Sequence, residues 1–196
     1  MQREPGAPVV IVDGSTQLRM PRDEDAAPLF ALIDADRQRL SAWLPWVDLT
    51  REVEDELAFL QRSRLEAAEG RSLALVLWHR EQPIGSMGFG RFEPLDGLGE
   101  IGYWIAASHE GRGLVSHGVA ALTTYGFQTL GLHRIEILAA VDNGRSRSIP
   151  ERLGFAQESV LRSRTKGAEG FHDAVLYSML EDGWDPRSGR AVERAE

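Results

Sequence analysis

The stretch from residue 99 to residue 141 constrains the fold more than any other part of the chain. It begins with an apolar, strand-like segment, GEIGYWIAA, and passes into a loop in which two glycines flank Arg112. Apolar residues then recur at helical spacings of three and four, and the alternating segment RIEILAAV indicates another strand. This succession predicts an α/β protein with helices packed on a sheet.

Further strand and helix patterns flank this stretch. Strands are predicted at 9–13, 16–20, 72–79, 84–92 and on both sides of a turn at 166–170, and helices at 21–39, 51–69 and in a short segment that ends at Gly154. This order favours a mixed sheet over a regular βαβ series. No repeat or linker divides the chain, so we expect one domain (1–196), with a core from about residue 9 to residue 184 and a mobile tail at 185–196.

Composition excludes several classes of function. The chain has 196 residues, a formal net charge of −8 and no cysteine. The acidic balance argues against a nucleic-acid binder, which needs a basic face, and the lack of cysteine excludes disulfides and thiol nucleophiles. No apolar run is long enough for a membrane span and no secretion signal is recognisable, so a cytoplasmic protein is expected. The five histidines are dispersed without metal-ligand spacing, so no metal site is expected.

The glycine loop has two interpretations. A strand, a glycine loop and a helix together can direct free backbone N–H groups at an anion, and Gly111 and Gly113 would let the backbone approach a pyrophosphate closely. The same residues could form a simple connecting turn. The loop is neither a P-loop, because no Gly-Lys-Ser/Thr follows, nor a dinucleotide fingerprint, because Ser116 stands where a third glycine is needed.

The context of the loop resembles a known family. EGRGLV before a helix, and DNGRSRSIPERLGF after the next strand, resemble the GNAT N-acetyltransferase superfamily. WLPWVD and the final HDAVLYSML are similar to its ribosomal-protein serine/alanine (RimJ/RimL-like) branch. The resemblance implies a single-domain GNAT fold, with a central mixed sheet whose fourth and fifth strands splay apart. Those strands would be GEIGYWIAA and RIEILAAV.

The resemblance also implies an acetyl-CoA site in the splay. Trp104, Ile105 and Ala106 would contact the pantetheine, and the pyrophosphate would lie on Gly111, Arg112, Gly113, Leu114, Val115 and Ser116. A solvated loop side chain is the alternative for Arg112. Glu110 departs from the family pattern, and its carboxylate must point away from a pyrophosphate.

Asn143 and Ser146 match the superfamily's Asn-x-x-Ser, beside the pantetheine and the thiol, although both residue types are also common at helix starts. Many members have a tyrosine four residues later, where this chain has Pro150, so Ser146 is the candidate acid for the leaving thiolate. Pro150 further predicts a distorted or late-starting helix, because proline fits only the first turn well.

Acyl transfer by direct amine attack in a ternary complex needs a neutral amine, a polarised carbonyl and a proton for sulfur. Glu100 is the candidate base or water-positioning group, with a strand-face charge as the alternative; backbone amides near Ile105 would polarise the carbonyl. Trp43 and Trp46 would line the acceptor site or form a packed corner. His172 and Asp173 are expected to make structural hydrogen bonds, with a catalytic role as the alternative.

These inferences lead to three hypotheses. The first is an acetyl-CoA-dependent N-acetyltransferase that acts on the N-terminal α-amine of a ribosomal protein. The second replaces the acceptor with a small-molecule amine, or the donor with succinyl-CoA or another acyl-CoA. The third is a non-catalytic CoA-binding module, suggested by the missing tyrosine. The branch resemblance also implies a homodimer.

Overall fold

A computed structural model describes residues 8–191 of the chain. Its main sheet comprises β1 (Val9–Ile11), β2 (Thr16–Arg19), β3 (Leu73–His79), β4 (Gln82–Glu93), β5 (Leu98–Ile105), β6 (Arg134–Ala140), β7 (Ala156–Gly167) and β8 (Gly170–Leu180). The helices are α1 (Ala26–Ala35), α2 (Arg37–Ser41), α3 (Val53–Ala68), α4 (Leu114–Gln128) and α5 (Gly144–Leu153). The strand order is β1-β2-β3-β4-β5-β6-β8-β7. Only the β5–β6 pair is parallel among these strands, so the predicted mixed sheet is confirmed.

Helices cover both faces of the sheet because strand side chains alternate between the faces. Val76 packs with Leu29 of α1 and Leu60 of α3 on one face. Leu75 lies in the larger core cluster with Leu122 of α4 on the other. We call these the α1–α3 face and the α4–α5 face. Fully burying a side chain of this size contributes about 1.5–3 kcal/mol, so the two layers hold the sheet rigidly.

The first predicted helix, 21–39, is interrupted. A 3₁₀ turn spans Asp23–Asp25, α1 follows, and α2 begins only at Arg37. The break falls at Asp36, whose Oδ2 accepts a 2.5 Å hydrogen bond from the Ala107 amide at the end of β5. This long-range contact has no counterpart in the local helical pattern, which explains why the break was not predicted.

Of the two alternatives predicted for Pro150, a distorted or a late-starting helix, the late start is wrong. α5 begins at Gly144, and Pro150 is its seventh residue, well beyond the first turn. A proline there removes the amide that would donate to the carbonyl of Ser146. The hydroxyl of Tyr103 on β5 donates to that carbonyl instead, at 3.1 Å. Gly154 ends the helix in the left-handed region (φ 80°), as predicted.

The structured part of the chain extends into the expected mobile tail. β9 (Trp184–Asp185) and β10 (Arg190–Ala191) form a small hairpin. It is anchored by Trp184, which is buried and donates from Nε1 to Thr124 Oγ1 at 2.9 Å. Residues 185–191 of the expected tail thus belong to this hairpin, 192–196 lie outside the described residues, and the mobility of the segment stays a prediction. Within the described part of the chain, no helix is long and apolar enough to cross a membrane.

Candidate functional site

The sheet opens between β5 and β6, the strands predicted to splay. They pair only at Leu98–Arg134, Gly99–Ile135 and Glu100–Glu136. Beyond these pairs, β5 continues along β4 up to Ile105, and β6 continues along β8 up to Ala140. The result is a gap that widens toward the carboxyl end of β5.

Backbone groups of β5 face this gap. The Ala106 amide donates to Ile84 O on the β4 side, and hydrogen-bonding direction alternates along an antiparallel pair. Trp104 and Ala106 therefore direct their backbone groups to β4, whereas Tyr103 and Ile105 direct theirs toward the gap. Arg39 already donates from Nη2 to Ile105 O at 2.7 Å. Of the three residues predicted to contact the pantetheine, only Ile105 has backbone groups that face the gap. Because Arg39 already occupies the Ile105 carbonyl, the Ile105 amide is the group that could bind a ligand.

The glycine loop leads directly from β5 to the N-terminus of α4. Gly111 and Gly113 have φ angles of 74° and 76°, a left-handed conformation that favours glycine. The first amide bonded within the helix is that of His117, to Gly113 O. The helix begins at Leu114, and Gly113 before it supplies no side-chain cap, so the amides of Leu114, Val115 and Ser116 have no intrahelical acceptor. Such an end attracts anions, and a β-carbon at Gly111 would meet nothing within 4 Å, so the cradle is open.

Two arginines flank this cradle. Arg112 is exposed and makes no side-chain hydrogen bond within residues 8–191, which fits a solvated side chain as well as a phosphate contact. Arg152 on α5 donates to Ser116 Oγ at 3.0 Å. A cavity of about 180 Å³ lies beside the cradle, and Arg152, Gly113, Ser116 and Gly189 are among the residues that line it. Whether these residues bind a pyrophosphate stays a prediction.

Two arginines hold the carboxylate of Glu110. Arg39 Nη1 lies 2.6 Å from Oε1, and Arg145 Nη1 lies 2.5 Å from Oε2. Arg39 also donates to Asp36 Oδ2 at 2.9 Å, so one network joins α2, the loop and α5. Sequence reasoning missed Arg39 and Asp36, since no local pattern links residues 71 positions apart.

Asn143 and Ser146 form the start of α5. The Ser146 amide donates to Asn143 Oδ1 at 3.1 Å, so Asn143 is the helix cap that its residue type favours. Ser146 Oγ lies 3.2 Å from the hydroxyl of Tyr103. Sequence reasoning noted the absence of a tyrosine at position 150 but missed this one, which comes from a strand 43 residues earlier.

Glu100 lies where β5 and β6 separate. Burial raises the pKa of its carboxyl above the ordinary value; Arg164 and Arg91 partly offset this shift, and Glu136 adds to it. Glu100 makes no side-chain hydrogen bond to another described residue, whereas Glu136 is paired with Arg134 at 2.7 Å. A half-buried carboxylate without a partner can accept a proton or position a water molecule.

The candidate base and the candidate acid lie on opposite faces of β5. Glu100 and Trp104 share a face by strand alternation, and Trp104 packs on the α1–α3 side. Tyr103 points to the other face, where it meets Ser146 of α5. The gap between β5 and β6 is the passage between the two faces.

The two tryptophans of WLPW contact different partners. The rings of Trp46 and Trp104 are 6.1 Å apart, and those of Trp43 and His172 are 5.4 Å apart. The β7–β8 turn closes on this segment: the Ala168 amide donates to Ser41 O at 2.9 Å. Trp46 and Trp104 pack against the buried cluster around Ile33 on the α1–α3 face. Their role toward an acceptor stays a prediction.

His172 and Asp173 differ in their hydrogen bonding. Asp173 Oδ1 accepts from the Ser163 amide at 2.8 Å, the structural contact expected of it. His172 Nε2 is buried without a hydrogen-bond partner among the described residues. In the same part of the chain, no group of three or more His, Asp or Glu side chains could hold a metal ion.

A mixed sheet with helices on both faces defines an α/β protein. The gap between β5 and β6 and the glycine loop beside it form a cleft suited to a phosphate-bearing co-substrate. The family model described as the acetyltransferase (GNAT) domain matches residues 16–156, and the chain belongs to this family. The predicted family and fold are thereby confirmed.

Relatives with this fold carry related names. The chain is 31% identical over 169 residues to YdaF of Bacillus subtilis (strain 168), provisionally named a ribosomal N-acetyltransferase, covering 86% of this chain and 92% of that protein. It is 29% identical over 171 residues to the ribosomal-protein-serine acetyltransferase of Escherichia coli (strain K12), covering 87% and 96%. Mycobacterium smegmatis RimJ, solved in complex with CoA-disulfide, superposes with a TM-score of 0.81 at 26% identity, covering 88% of this chain and 85% of that one.

Proposed function

We propose that the chain transfers an acetyl group from acetyl-CoA to the α-amine at the N-terminus of a protein, in the leading case a ribosomal protein. One observation carries the proposal: the β5–β6 gap opens beside an uncapped helix N-terminus and separates Glu100 on one face from Ser146 on the other. The named relatives support a ribosomal acceptor. An acceptor of this kind would be met in the cytoplasm. The homodimer also stays a prediction.

The cradle residues would hold the pyrophosphate through the amides of Gly113, Leu114, Val115 and Ser116. Arg112 is free to add a charge contact at the surface. The Ile105 amide would pair with the pantetheine or polarise the acyl carbonyl, because it faces the gap and has no strand partner there. Asn143 would contribute chiefly by capping α5 and so placing Ser146.

The amine would be made reactive on the α1–α3 face. An α-amine has a pKa of about 7.7–8.0, against about 10.4 for lysine, so a modest base suffices to keep it neutral. Glu100 suits this task, since burial raises its pKa and makes it a better proton acceptor than an exposed carboxylate. Trp43, Trp46 and Trp104 would line the approach of the peptide.

The leaving sulfur would take its proton on the α4–α5 face. As the amine nitrogen bonds to the acyl carbon, the carbon–sulfur bond breaks and the thiolate receives a proton from Ser146. The surplus amine proton goes to Glu100 or to water, and Ser146 regains its proton from solvent. Net transfer gives an amide and free CoA.

Mass spectrometry of acyl transfer tests the proposal. Acetyl-CoA and succinyl-CoA are offered with peptides that carry free N-termini, with N-terminally blocked peptides that contain lysine, and with small amines. We expect acetylation of free N-termini. A preference for lysine or for small amines would overturn the acceptor assignment, and no free CoA with any amine would favour a binding module.

Matched variants test the residues. Glu100→Gln and Ser146→Ala should each lower transfer, whereas Glu54→Gln, at an exposed position of α3, and Ser148→Ala, whose hydroxyl bonds only to Arg145 O, should not. Unchanged transfer in both site variants would contradict the assignment of base and acid.

A further inference from the structure

Pro150 leaves one carbonyl of α5 without its usual donor. In an α-helix the amide of residue i donates to the carbonyl of residue i−4, and proline has no amide proton. Position 150 is four residues after Ser146. The Ser146 carbonyl must therefore find a donor outside the helix, and the hydroxyl of Tyr103 lies 3.1 Å away.

Tyr103 touches Ser146 twice. Its hydroxyl is 3.1 Å from the carbonyl and 3.2 Å from Oγ of the same residue. A phenol has one proton and a carbonyl only accepts. The arrangement that satisfies both contacts has Tyr103 donating to the carbonyl and Ser146 Oγ donating to the Tyr103 oxygen. With the Ser146 amide held by Asn143, every polar atom of Ser146 has a partner.

The phenol keeps its proton under all ordinary conditions. Burial raises the pKa of Tyr103 well above the usual value of a tyrosine, and the hydrogen bond to Ser146 offsets only part of that rise. Tyr103 is thus a lasting donor to the carbonyl, and its oxygen accepts the Ser146 hydroxyl hydrogen until that hydrogen passes to the thiolate sulfur.

From these contacts we propose that Tyr103 is a positioning residue for acyl transfer: it fixes the hydroxyl of Ser146 beside the β5–β6 gap. Pro150 makes this possible, because it frees the carbonyl that Tyr103 uses as its second attachment. Tyr103 on β5 thereby acts through Ser146 of α5, a helix that has proline and not tyrosine at position 150. The inference rests on the proposed function, since it assigns a role to Ser146 in that reaction.

Four variants test it: Tyr103→Phe, Pro150→Ala, the double variant, and Tyr125→Phe as a control. The Tyr125 hydroxyl makes no hydrogen bond to another described side chain, so this control should change nothing. Tyr103→Phe loses both contacts. We expect Tm to fall by about 2–4 °C, the effect of one net hydrogen bond in a chain of this size.

We expect kcat of Tyr103→Phe to fall about tenfold, while KM for acetyl-CoA changes less than about twofold. General acid catalysis contributes a rate enhancement of roughly 10²–10⁴-fold, and a less well positioned proton donor loses part of it. Adding Pro150→Ala supplies a new amide to the Ser146 carbonyl. The double variant should therefore regain Tm but not kcat. Pro150→Ala alone should keep kcat within about twofold of the wild type, since Tyr103 still accepts from Ser146 Oγ.

The outcomes distinguish the positioning role of Tyr103 from the proposed acetyl transfer. An active wild type with an equally active Tyr103→Phe overturns the positioning role. A double variant that regains kcat together with Tm overturns it too, because Tyr103 would then act only through the stability of α5. A wild type that transfers acetyl to no amine overturns the proposed function, and with it any task for Tyr103.

Discussion

Arg39 on α2 donates a 2.6 Å hydrogen bond to Glu110 at the start of the glycine loop. Arg145 on α5 holds the other carboxylate oxygen, so one acidic side chain connects the two helical layers at the end of β5. The residue that departs from the family's loop pattern is thus part of the support for the loop.

Replacing Glu110 should weaken binding of acetyl-CoA. In Glu110→Ala the loop loses its ties to α2 and α5, and we expect KM for acetyl-CoA to rise about three- to tenfold. Steady-state kinetics measures this, with Glu54→Ala on the exposed side of α3 as the matched control. A lower KM would mean that repulsion between the carboxylate and the pyrophosphate outweighs the support it gives.

Gly113→Ala should disturb both stability and binding. The β-carbon would lie 3.7 Å from the His117 ring, an ordinary contact, so the cost comes from the positive φ alone. We expect a loss of about 1–2 kcal/mol in the free energy of unfolding and a higher KM for acetyl-CoA. Gly14→Ala, with open space around the new methyl and no positive φ, serves as the control in denaturant titrations and should change neither.

The acidic limb of the pH–rate profile should depend on Glu100. A base acts only when ionised, and burial raises the pKa of Glu100, so activity should decline as pH falls through a value above the ordinary range of about 4.3. Glu100→Gln should lower kcat about a hundredfold and remove this limb. Profiles of kcat at saturating acceptor measure it for both proteins, because the free α-amine, with a pKa of about 7.7–8.0, would dominate kcat/KM. An unchanged limb in the variant would assign the titration to another group.

Glu56 should make stability fall as pH rises. Its carboxyl is buried in α3 without a hydrogen-bond partner among the described side chains, and burial raises its pKa from 4.5 to about 7. The folded state therefore binds the proton more tightly than the unfolded state. The stabilising effect is complete below about pH 4.5 and is lost as pH rises through about 7, a change of about 3 kcal/mol.

Thermal melts from pH 5 to pH 8 test this prediction. Glu56→Gln keeps the shape of the side chain and removes the ionisation, so we expect it to melt higher than the wild type at pH 8. The advantage should shrink toward pH 5. Glu54→Gln, exposed two residues earlier, should follow the wild type at every pH. Parallel curves for wild type and Glu56→Gln would show that Glu56 does not titrate in this range.

Sequence patterns predicted the features that a few neighbouring residues determine. The glycine loop, the stripe of α4, the cap at Asn143 and the left-handed end at Gly154 are each specified by residues a few positions apart. These features rest on backbone conformation and side-chain period, which a short segment determines by itself.

The missed features all depend on contacts across the fold. Asp36 interrupts the first helix because its carboxylate meets Ala107, and Pro150 is accommodated because Tyr103 replaces the lost donor. Neither partner can be recognised from the residues beside it. The hairpin at residues 184–191 was missed for the same reason, since Trp184 is fixed by Thr124 of α4.

Gly167 has a consequence for how this enzyme class could diversify. A β-carbon there would lie 2.0 Å from the carbonyl oxygen of Ala42, so main chain meets main chain where the β7–β8 turn closes on α2. The distance between the turn and the residues after α2 is set here by backbone atoms, with His172 Nε2 next at 3.0 Å. Substitution of the Trp43 side chain can therefore change the chemistry beside this turn while the main-chain spacing at Gly167 is kept.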